Sequence, residues 1–121
     1  MDKTLDYCYT HTTAPGSVLT AVERATHLRT LSPQMLSGPY QGMLIQLIAR
    51  MIQPARALEI GTFTGYTSIC IAQAMPDEGV LHTIEVNDEL AWLIRSHLEE
   101  AGLEEKVRLH IGDAAQVIPT L

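Results

Sequence analysis

The sequence predicts an α/β fold in which helices precede a small parallel sheet. Three observations lead to this prediction. Apolar residues recur at helical spacing before Pro54, strand-like segments alternate with helical ones after it, and a glycine-containing loop follows the first strand-like segment. Helical crossovers between strands imply parallel strands with right-handed connections, so the second part reads as one half of a doubly wound sheet. We therefore divide the chain into a helical segment, 1–53, and a sheet-containing half, 54–121, within a single compact unit.

The helical segment contains three predicted helices. We expect a turn or two of helix at 5–9, a helix from Ser17 to about Thr30, and a third helix with Pro39 in its first turn. Five large apolar residues fall on one face of the third helix, which we expect to lie in the core, while Gln46 and Arg50 fall on the other face. The apolar residues are Met43, Leu44, Leu47, Ile48 and Met51.

The sheet-containing half follows the order strand, helix, strand, helix, strand. In chain order the predicted elements are a strand at 55–60, a helix at 66–75, a strand at 80–86, a helix between Asn87 and Gly102, and a strand at 106–111. Asn87 is a favourable N-cap, and Gly102 suits the position just after a helix. Another helix is expected to begin after Asp113.

Composition excludes several classes of protein. With 121 residues, 46% hydrophobic and 18% charged, the chain can bury a core. Its net charge of −6, without a basic stripe, argues against nucleic-acid binding. Cys8 and Cys70 lack zinc spacing, and the five histidines show no metal-ligand pattern. No apolar run is long enough for a membrane span and no secretory signal opens the chain, so we expect a cytoplasmic protein.

The loop after the first predicted strand points to a cationic ligand. Its glycines, Gly61 and Gly65, follow a G-x-x-x-G spacing rather than the G-x-G-x-x-G pattern of dinucleotide sites. Glu59 precedes Gly61 by two positions, and a carboxylate there repels phosphate but favours an ammonium or sulfonium group. This combination favours S-adenosylmethionine over NAD. The alternative is that Glu59 caps the loop or pairs with Arg56.

Two further acidic residues lie where the second and third strands end. Glu85 comes 24 residues after Gly61, about where an acid binds both ribose hydroxyls in nucleotide-binding folds. Asp113, with the backbone of Ala114, lies where the edge of an adenine is expected. The alternatives are a solvated Glu85 at the strand end and an Asp113 that caps the following helix.

Two segments, 34–42 and 58–68, resemble the S-adenosylmethionine-dependent O-methyltransferases that include the catechol and caffeoyl-CoA enzymes. The second segment reads Leu58-Glu59-Ile60-Gly61-Thr62-Phe63-Thr64-Gly65-Tyr66-Thr67-Ser68. The resemblance implies a Rossmann-like methyltransferase fold with S-adenosylmethionine as cofactor. It also implies cofactor-binding roles for Met35 over the adenosine, Ser37 and Thr67 at the methionine carboxylate, Glu59, Gly61 and Thr62 at the methionine amino end, Glu85 at the ribose, and Asp113 and Ala114 at the adenine.

The resemblance also implies parts that the sequence does not contain. Such enzymes continue with a fourth strand whose acidic motif binds a divalent metal, and with an acceptor pocket for a small hydroxyl or phenolic compound. The chain stops at Leu121, so we expect a truncated enzyme with no catalytic or metal residues of its own and little or no activity alone. The alternative is an inactive remnant that binds S-adenosylmethionine or S-adenosylhomocysteine, or only dimerises. Because the first strand lacks its neighbour, we expect two copies to pair across that edge or across adjacent helices.

Overall fold

A computed structural model describes residues 2–121. Its helices are α1 (Lys3–His11), α2 (Ser17–Arg29), α3 (Gly38–Ile52), α4 (Tyr66–Ala74), α5 (Ala91–Glu100) and α6 (Ala114–Val117), and its strands are β1 (Arg56–Ile60), β2 (Val80–Glu85) and β3 (Val107–Ile111). Short 3₁₀ turns lie at Pro33–Met35, Asp88–Leu90 and Ile118–Thr120. None of the helices within residues 2–121 combines the length and hydropathy that a bilayer span demands.

The three strands form one parallel sheet in the order β1-β2-β3. Glu59 on β1 lies opposite Thr83 on β2, and Ile84 on β2 lies opposite His110 on β3. The predicted α/β fold class is confirmed, including the parallel strands with helices α4 and α5 between them. Among the described residues β1 is an edge strand, as expected, and its Leu58 and Ile60 are 47% and 63% exposed.

The core lies between one face of the sheet and the helices α2, α4 and α5. Its fully buried residues include Val22 on α2, Ile69 on α4, Leu81 on β2 and Ile94 on α5. Each large aliphatic side chain removed from water in this way contributes about 1.5–3 kcal/mol of hydrophobic stabilisation. The core therefore fixes α4 and α5 at the sheet, and with them the loops that precede both helices.

The prediction for α3 is wrong about which face is buried. Gly42, Gln46 and Ala49 are buried, and the large apolar residues that were expected in the core are mostly exposed. A Cβ on Gly42 would lie 2.7 Å from Cε1 of Tyr66, so this glycine permits close packing of α3 on α4. The Gln46 amide donates to the Cys70 carbonyl and the Gln73 side chain. Leu44, Leu47, Ile48 and Met51 are 47%, 54%, 47% and 76% exposed.

Gly102 and Asp113 lie at helix ends as predicted, whereas Asn87 caps the 3₁₀ turn Asp88–Leu90 that precedes α5. The Asn87 side chain accepts the backbone N–H of Glu89, and the Asp113 side chain accepts that of Ala115. Gly102 follows α5 with a φ of +68°, the left-handed conformation that glycine adopts most readily. The caps at Asn87 and Asp113 fix where the chain leaves β2 and β3, at the same end of the sheet as the loop after β1.

Candidate functional site

The glycine loop, residues 61–65 between β1 and α4, folds back over the end of β2. The backbone N–H groups of Gly61 and Thr62 both donate to the carbonyl oxygen of Ile84, at 2.8 and 3.1 Å. Gly61 and Gly65 have φ angles of +91° and +95°, and this left-handed conformation costs a residue with a Cβ about 1–2 kcal/mol. The backbone conformation of the loop therefore requires both glycines of the G-x-x-x-G spacing.

Glu85, the last residue of β2, is bonded directly to the glycine loop. Its Oε1 accepts the backbone N–H of Phe63 at 2.8 Å, and its Oε2 accepts the backbone N–H of Asn87 at 2.9 Å. The residue is only 8% exposed. A carboxylate offers about four lone-pair positions, so each oxygen keeps acceptor capacity after these two bonds. Glu85 shapes the loop and can still accept hydrogen bonds from the hydroxyls of a ligand.

Phe63 is a part of the site to which the sequence analysis gave no role. Its φ is +53°, which is uncommon for a residue with a side chain and is often found at functional sites. This conformation goes together with the hydrogen bond from its N–H to Glu85. The sequence signal for Phe63 is its place midway between Gly61 and Gly65, where the chain has to turn sharply.

Glu59 lies between β1, β2 and α4 and accepts two buried hydroxyls. Its Oε1 accepts the hydroxyl of Ser68 and, at 2.7 Å, that of Thr83. Because Thr83 gives its only hydroxyl hydrogen to Glu59, the Thr62 hydroxyl donates to Thr83 across 2.6 Å. Burial raises the pKa of Glu59 above its ordinary value, the two hydroxyl bonds oppose this rise, and the nearby charge of Glu85 adds to it.

The strand register brings the two carboxylates to the same end of the sheet, because Glu59 on β1 lies opposite Thr83, two residues before Glu85 at the end of β2. They differ in access. Glu85 lines a cavity of about 580 Å³, whereas Glu59 is not among the described residues that line this cavity or the cleft beside it. Glu59 therefore lies behind the residues that line the two openings and is joined to the glycine loop through the hydroxyls of Thr83 and Thr62.

The cavity beside Glu85, here the loop cavity, lies between the glycine loop, the start of α5 and the segment that joins α2 to α3. Met35 and Phe63 line both the loop cavity and a cleft of about 40 Å³ next to it. Met35 is 66% exposed, so it forms a rim. The loop cavity is also lined by groups that the sequence analysis did not assign to the site, namely Arg29, Leu31, Val86, Asn87, Glu89 and Trp92.

The small cleft contains most of the remaining predicted residues. Ser37, Gly61, Thr62 and Thr67 all line it. The Thr67 hydroxyl donates to the Ser37 hydroxyl at 2.7 Å, which joins the start of α3 to the first turn of α4. The first turn of a helix presents free backbone N–H groups and a partial positive charge, both of which favour an anion.

The third predicted loop lies next to Glu85 but outside these two openings. The N–H of Gly112 donates to the Glu85 carbonyl at 2.9 Å. Asp113 caps α6 through the backbone N–H of Ala115 at 2.8 Å, which is the alternative that the sequence left open. Neither Asp113 nor Ala114 is among the described residues that line the loop cavity or the cleft, and an adenine contact at these two residues stays a prediction.

The residues present do not form a metal centre. Within residues 2–121, no group of three or more His, Cys, Asp or Glu side chains is arranged to hold a metal ion. Glu59 and Glu85 are instead engaged by hydroxyl and backbone N–H donors.

Comparison with known proteins gives a consistent family. The model of a family described as O-methyltransferase matches residues 10–121. A catechol O-methyltransferase of Niastella koreensis is 35% identical over 89 residues, 74% of this chain and 40% of that protein. A transmembrane O-methyltransferase of Homo sapiens is 31% identical over 123 residues, 99% of this chain and 42% of that protein. The chain thus spans about two fifths of the length of these curated relatives.

Solved structures show the same arrangement of helices and strands. The O-methyltransferase TomG from Streptomyces achromogenes, solved in complex with SAM, superposes with a TM-score of 0.88 at 36% identity. The superposition covers 100% of this chain and 56% of the TomG chain. An O-methyltransferase from Bacillus cereus in complex with SAH superposes with a TM-score of 0.86 at 28% identity. This superposition covers 95% of this chain and 52% of the Bacillus cereus chain.

Proposed function

The chain belongs to the O-methyltransferase family, and on that premise we propose that it is the S-adenosylmethionine-binding part of an enzyme that methylates a hydroxyl group of a small phenolic or other hydroxyl-bearing acceptor. The observation that carries this proposal is the bond between Glu85 and the glycine loop on the wall of the loop cavity. Two of its structural relatives were solved with SAM or SAH bound, which supports this choice of cofactor.

Glu85 is the residue proposed to bind the ribose. Two vicinal hydroxyls need two acceptor oxygens side by side, and a carboxylate at the end of a strand supplies them. The two backbone bonds to Glu85 hold its oxygens in place before the ligand arrives. This preorganisation lowers the entropy that binding would otherwise cost.

The small cleft is the proposed site of the methionine end. Ser37 and Thr67 place two hydroxyls 2.7 Å apart at the start of α4, where hydroxyl and backbone donors suit a carboxylate. Glu59 lies behind Thr62 and Thr83, and its charge favours the ammonium and sulfonium groups of the same ligand. Met35 extends over the junction of the two openings as the proposed cover of the adenosine.

In this proposal these residues bind and orient the cofactor. A bound S-adenosylmethionine supplies an electrophilic methyl group on its sulfonium. Transfer to a hydroxyl oxygen is an in-line displacement, so holding the donor in one orientation supplies a large part of the catalysis. In this proposal Ser37 and Thr67 would hold the methionine carboxylate and Glu85 the ribose, and the sulfonium lies between these two groups of the ligand. A divalent metal does not fit the residues that the structure describes, so no step is assigned to one.

Binding without transfer is the second candidate for this chain alone. What supports it is that the roles proposed for the site residues are all binding roles, and that residues 2–121 contain no group of three or more side chains arranged to hold a metal ion. An assay of methyl transfer from S-adenosylmethionine to a catechol separates the two candidates. Turnover by the chain supports an active enzyme, and SAH binding without turnover supports a binding remnant.

Calorimetric titration tests the proposed cofactor directly. We expect S-adenosylhomocysteine to bind and NAD not to bind, because the glycine spacing and Glu59 disfavour a pyrophosphate. Tight binding of NAD, or no heat with S-adenosylhomocysteine while circular dichroism shows a folded chain, would contradict the proposal.

We also propose that two copies of the chain associate. Two exposed apolar surfaces support this: the free edge of β1, with Leu58 and Ile60, and the apolar stripe of α3, formed by Leu44, Leu47, Ile48 and Met51. Natural proteins usually cover free strand edges and large apolar patches, and a second copy supplies a surface of the same kind.

A further inference from the structure

Thr64 of the glycine loop is held from two sides by helices that are distant in sequence. Its hydroxyl lies 2.9 Å from that of Thr26 on α2, and its carbonyl oxygen lies 2.7 Å from Nδ1 of His97 on α5. Thr26 and Thr64 are fully buried and His97 is 4% exposed. The three side chains form a polar cluster inside an otherwise apolar region.

The direction of each hydrogen bond follows from the chemistry of its atoms. Thr26 donates its hydroxyl hydrogen to the Val22 carbonyl at 2.7 Å, so the Thr64 hydroxyl is the donor to Thr26. A carbonyl oxygen only accepts, so His97 carries its proton on Nδ1 in the bond to Thr64. A neutral His97 is therefore fixed as the Nδ1–H tautomer.

These bonds act on the part of the loop that forms the proposed site. Thr64 lies between Phe63, whose N–H is bonded to Glu85, and Gly65, whose left-handed φ of +95° begins α4. If the Thr64 carbonyl lost its donor it would be buried without a partner, and turning this carbonyl toward water would relieve that cost. We expect a chain that reorients at Thr64 to shift the adjoining residue Phe63 and to weaken the hydrogen bond from its N–H to Glu85.

We propose that His97 and Thr26 are positioning residues, which hold the glycine loop in the conformation that binds the cofactor. His97 does so by donating Nδ1–H to the Thr64 carbonyl, and Thr26 by accepting the Thr64 hydroxyl. The inference rests on the proposed function for its effect on ligand binding, but the effect on the loop itself can be measured without a ligand.

Paired variants test the role of each donor and acceptor. His97→Leu removes the N–H and is expected to weaken S-adenosylhomocysteine binding about tenfold or more, whereas His97→Asn keeps an N–H near the position of Nδ1 and should restore most of the affinity. Thr26→Val and Thr26→Ser form the matched pair on α2. A purely structural role lowers the melting temperature of His97→Leu and Thr26→Val but leaves the Kd of the folded variants unchanged, which would overturn the proposal.

Two NMR measurements keep the test decisive where a variant does not fold or the ligand does not bind. In the unmodified chain, the ring ¹⁵N shifts of His97 should report the Nδ1–H tautomer, and an Nε2–H tautomer would overturn the proposal. Hydrogen exchange of the Phe63 amide should be about tenfold or more faster in Thr26→Val than in Thr26→Ser, and equal rates would also overturn it. Failure of the unmodified chain to bind S-adenosylhomocysteine counts against the proposed function alone, because both readouts are taken without ligand.

Discussion

The Oε1 atom of Glu85 accepts the backbone N–H of Phe63 at 2.8 Å, so the acid that ends β2 and the glycine loop after β1 form one unit. Glu85→Ala removes this bond and the proposed ribose acceptor together. We expect S-adenosylhomocysteine affinity to fall about 10-fold to 100-fold, since hydrogen bonds to charged groups contribute about 1.5–3 kcal/mol. Isothermal titration calorimetry measures the change.

Glu85→Gln separates the two roles of the residue. A glutamine keeps one oxygen for the Phe63 N–H but loses the charge and the second acceptor. We therefore expect Glu85→Gln to be more stable than Glu85→Ala and close in stability to the unmodified chain. Its affinity for S-adenosylhomocysteine is expected to stay reduced. Glu78→Ala, at an exposed turn, is the control for removing an acid, and an equal loss of affinity there would contradict a specific role for Glu85.

Glu59→Gln is expected to change how stability depends on pH. Burial raises the folded-state pKa of Glu59 above its ordinary 4.5, so between these two values the folded state binds more protons than the unfolded state. The contribution of Glu59 to stability is therefore present below pH 4.5 and is lost as the pH rises through that window. A glutamine has no charge to desolvate, and its oxygen can still accept the Thr83 hydroxyl.

Urea unfolding at a series of pH values from about 4 to 8 measures this effect. The stability of Glu59→Gln relative to the unmodified chain should increase as the pH rises above the ordinary glutamate value, and then level off. Glu78→Gln, at the exposed turn, should show no such trend. Parallel curves for Glu59→Gln and the unmodified chain would show that the Glu59 pKa is not raised.

Local signals predicted most of the fold correctly. Strand and helix periodicity, with Asn87, Gly102 and Asp113 as end signals, placed most elements of the sheet-containing half to within a residue or two. The exception is the start of α5, which follows a 3₁₀ turn at Asp88–Leu90 and begins at Ala91. The glycine spacing and the acid at the end of the second strand identified residues that the structure brings together, because parallel strands bring their carboxyl ends to one edge. These features depend on residues that are close in sequence or on a general rule of topology.

The features that sequence reasoning missed depend on packing between distant elements. Periodicity assigned the large residues of α3 to the core, yet Gly42 and Ala49 bury the opposite face because small residues allow α3 to approach α4 closely. Apolar periodicity identifies an amphipathic face but does not say which neighbour covers it. The bond between His97 and Thr64 spans 33 residues, and a histidine within an apolar helix face gives no signal of such a partner.

The two cysteines are expected to react with thiol reagents at very different rates. Burial raises the pKa of the Cys70 thiol to about 12, and the charge of Glu59 adds to this rise. Cys70 is only 2% exposed, whereas Cys8 on α1 is partly exposed. Because the thiolate is the reactive form, Ellman's reagent should titrate one thiol quickly in the folded protein and two in denaturant. Cys8→Ser should abolish the fast phase, and a fast phase that persists would show that Cys70 is accessible.

Gly42→Ala is expected to destabilise the protein although alanine favours a helix. The new Cβ would lie 2.7 Å from Cε1 of Tyr66 and 2.9 Å from Sγ of Cys70, closer than van der Waals contact. Overpacking of this kind costs about 1–3 kcal/mol, more than the gain of about 1 kcal/mol in helix propensity. Gln41→Ala, at an exposed position of the same helix, should be neutral or slightly stabilising in thermal unfolding. Equal melting temperatures for the two variants would show that α3 and α4 do not pack this closely.

The apolar stripe of α3 is expected to be the surface through which two copies associate. Leu44, Leu47, Ile48 and Met51 lie opposite the face that packs on α4, and each is about half exposed or more. A stripe of this kind on one helix can pack against its own copy about a two-fold axis, which buries the same residues from both chains. Leu47→Lys places a charge in the middle of that contact and should convert a dimer to a monomer.

Analytical ultracentrifugation at about 10 μM, a concentration well above the Kd of most specific complexes, measures the expected change. The unmodified chain should sediment as a dimer and Leu47→Lys as a monomer with an unchanged circular dichroism spectrum. Arg50→Gln alters the same helix beside the stripe and should leave the dimer intact. Dissociation by Leu58→Lys but not by Leu47→Lys would place the interface at the edge of β1, because a lysine at a free strand edge opposes pairing with another strand. A monomeric mass for the unmodified chain would rule out both surfaces as homodimer contacts at this concentration.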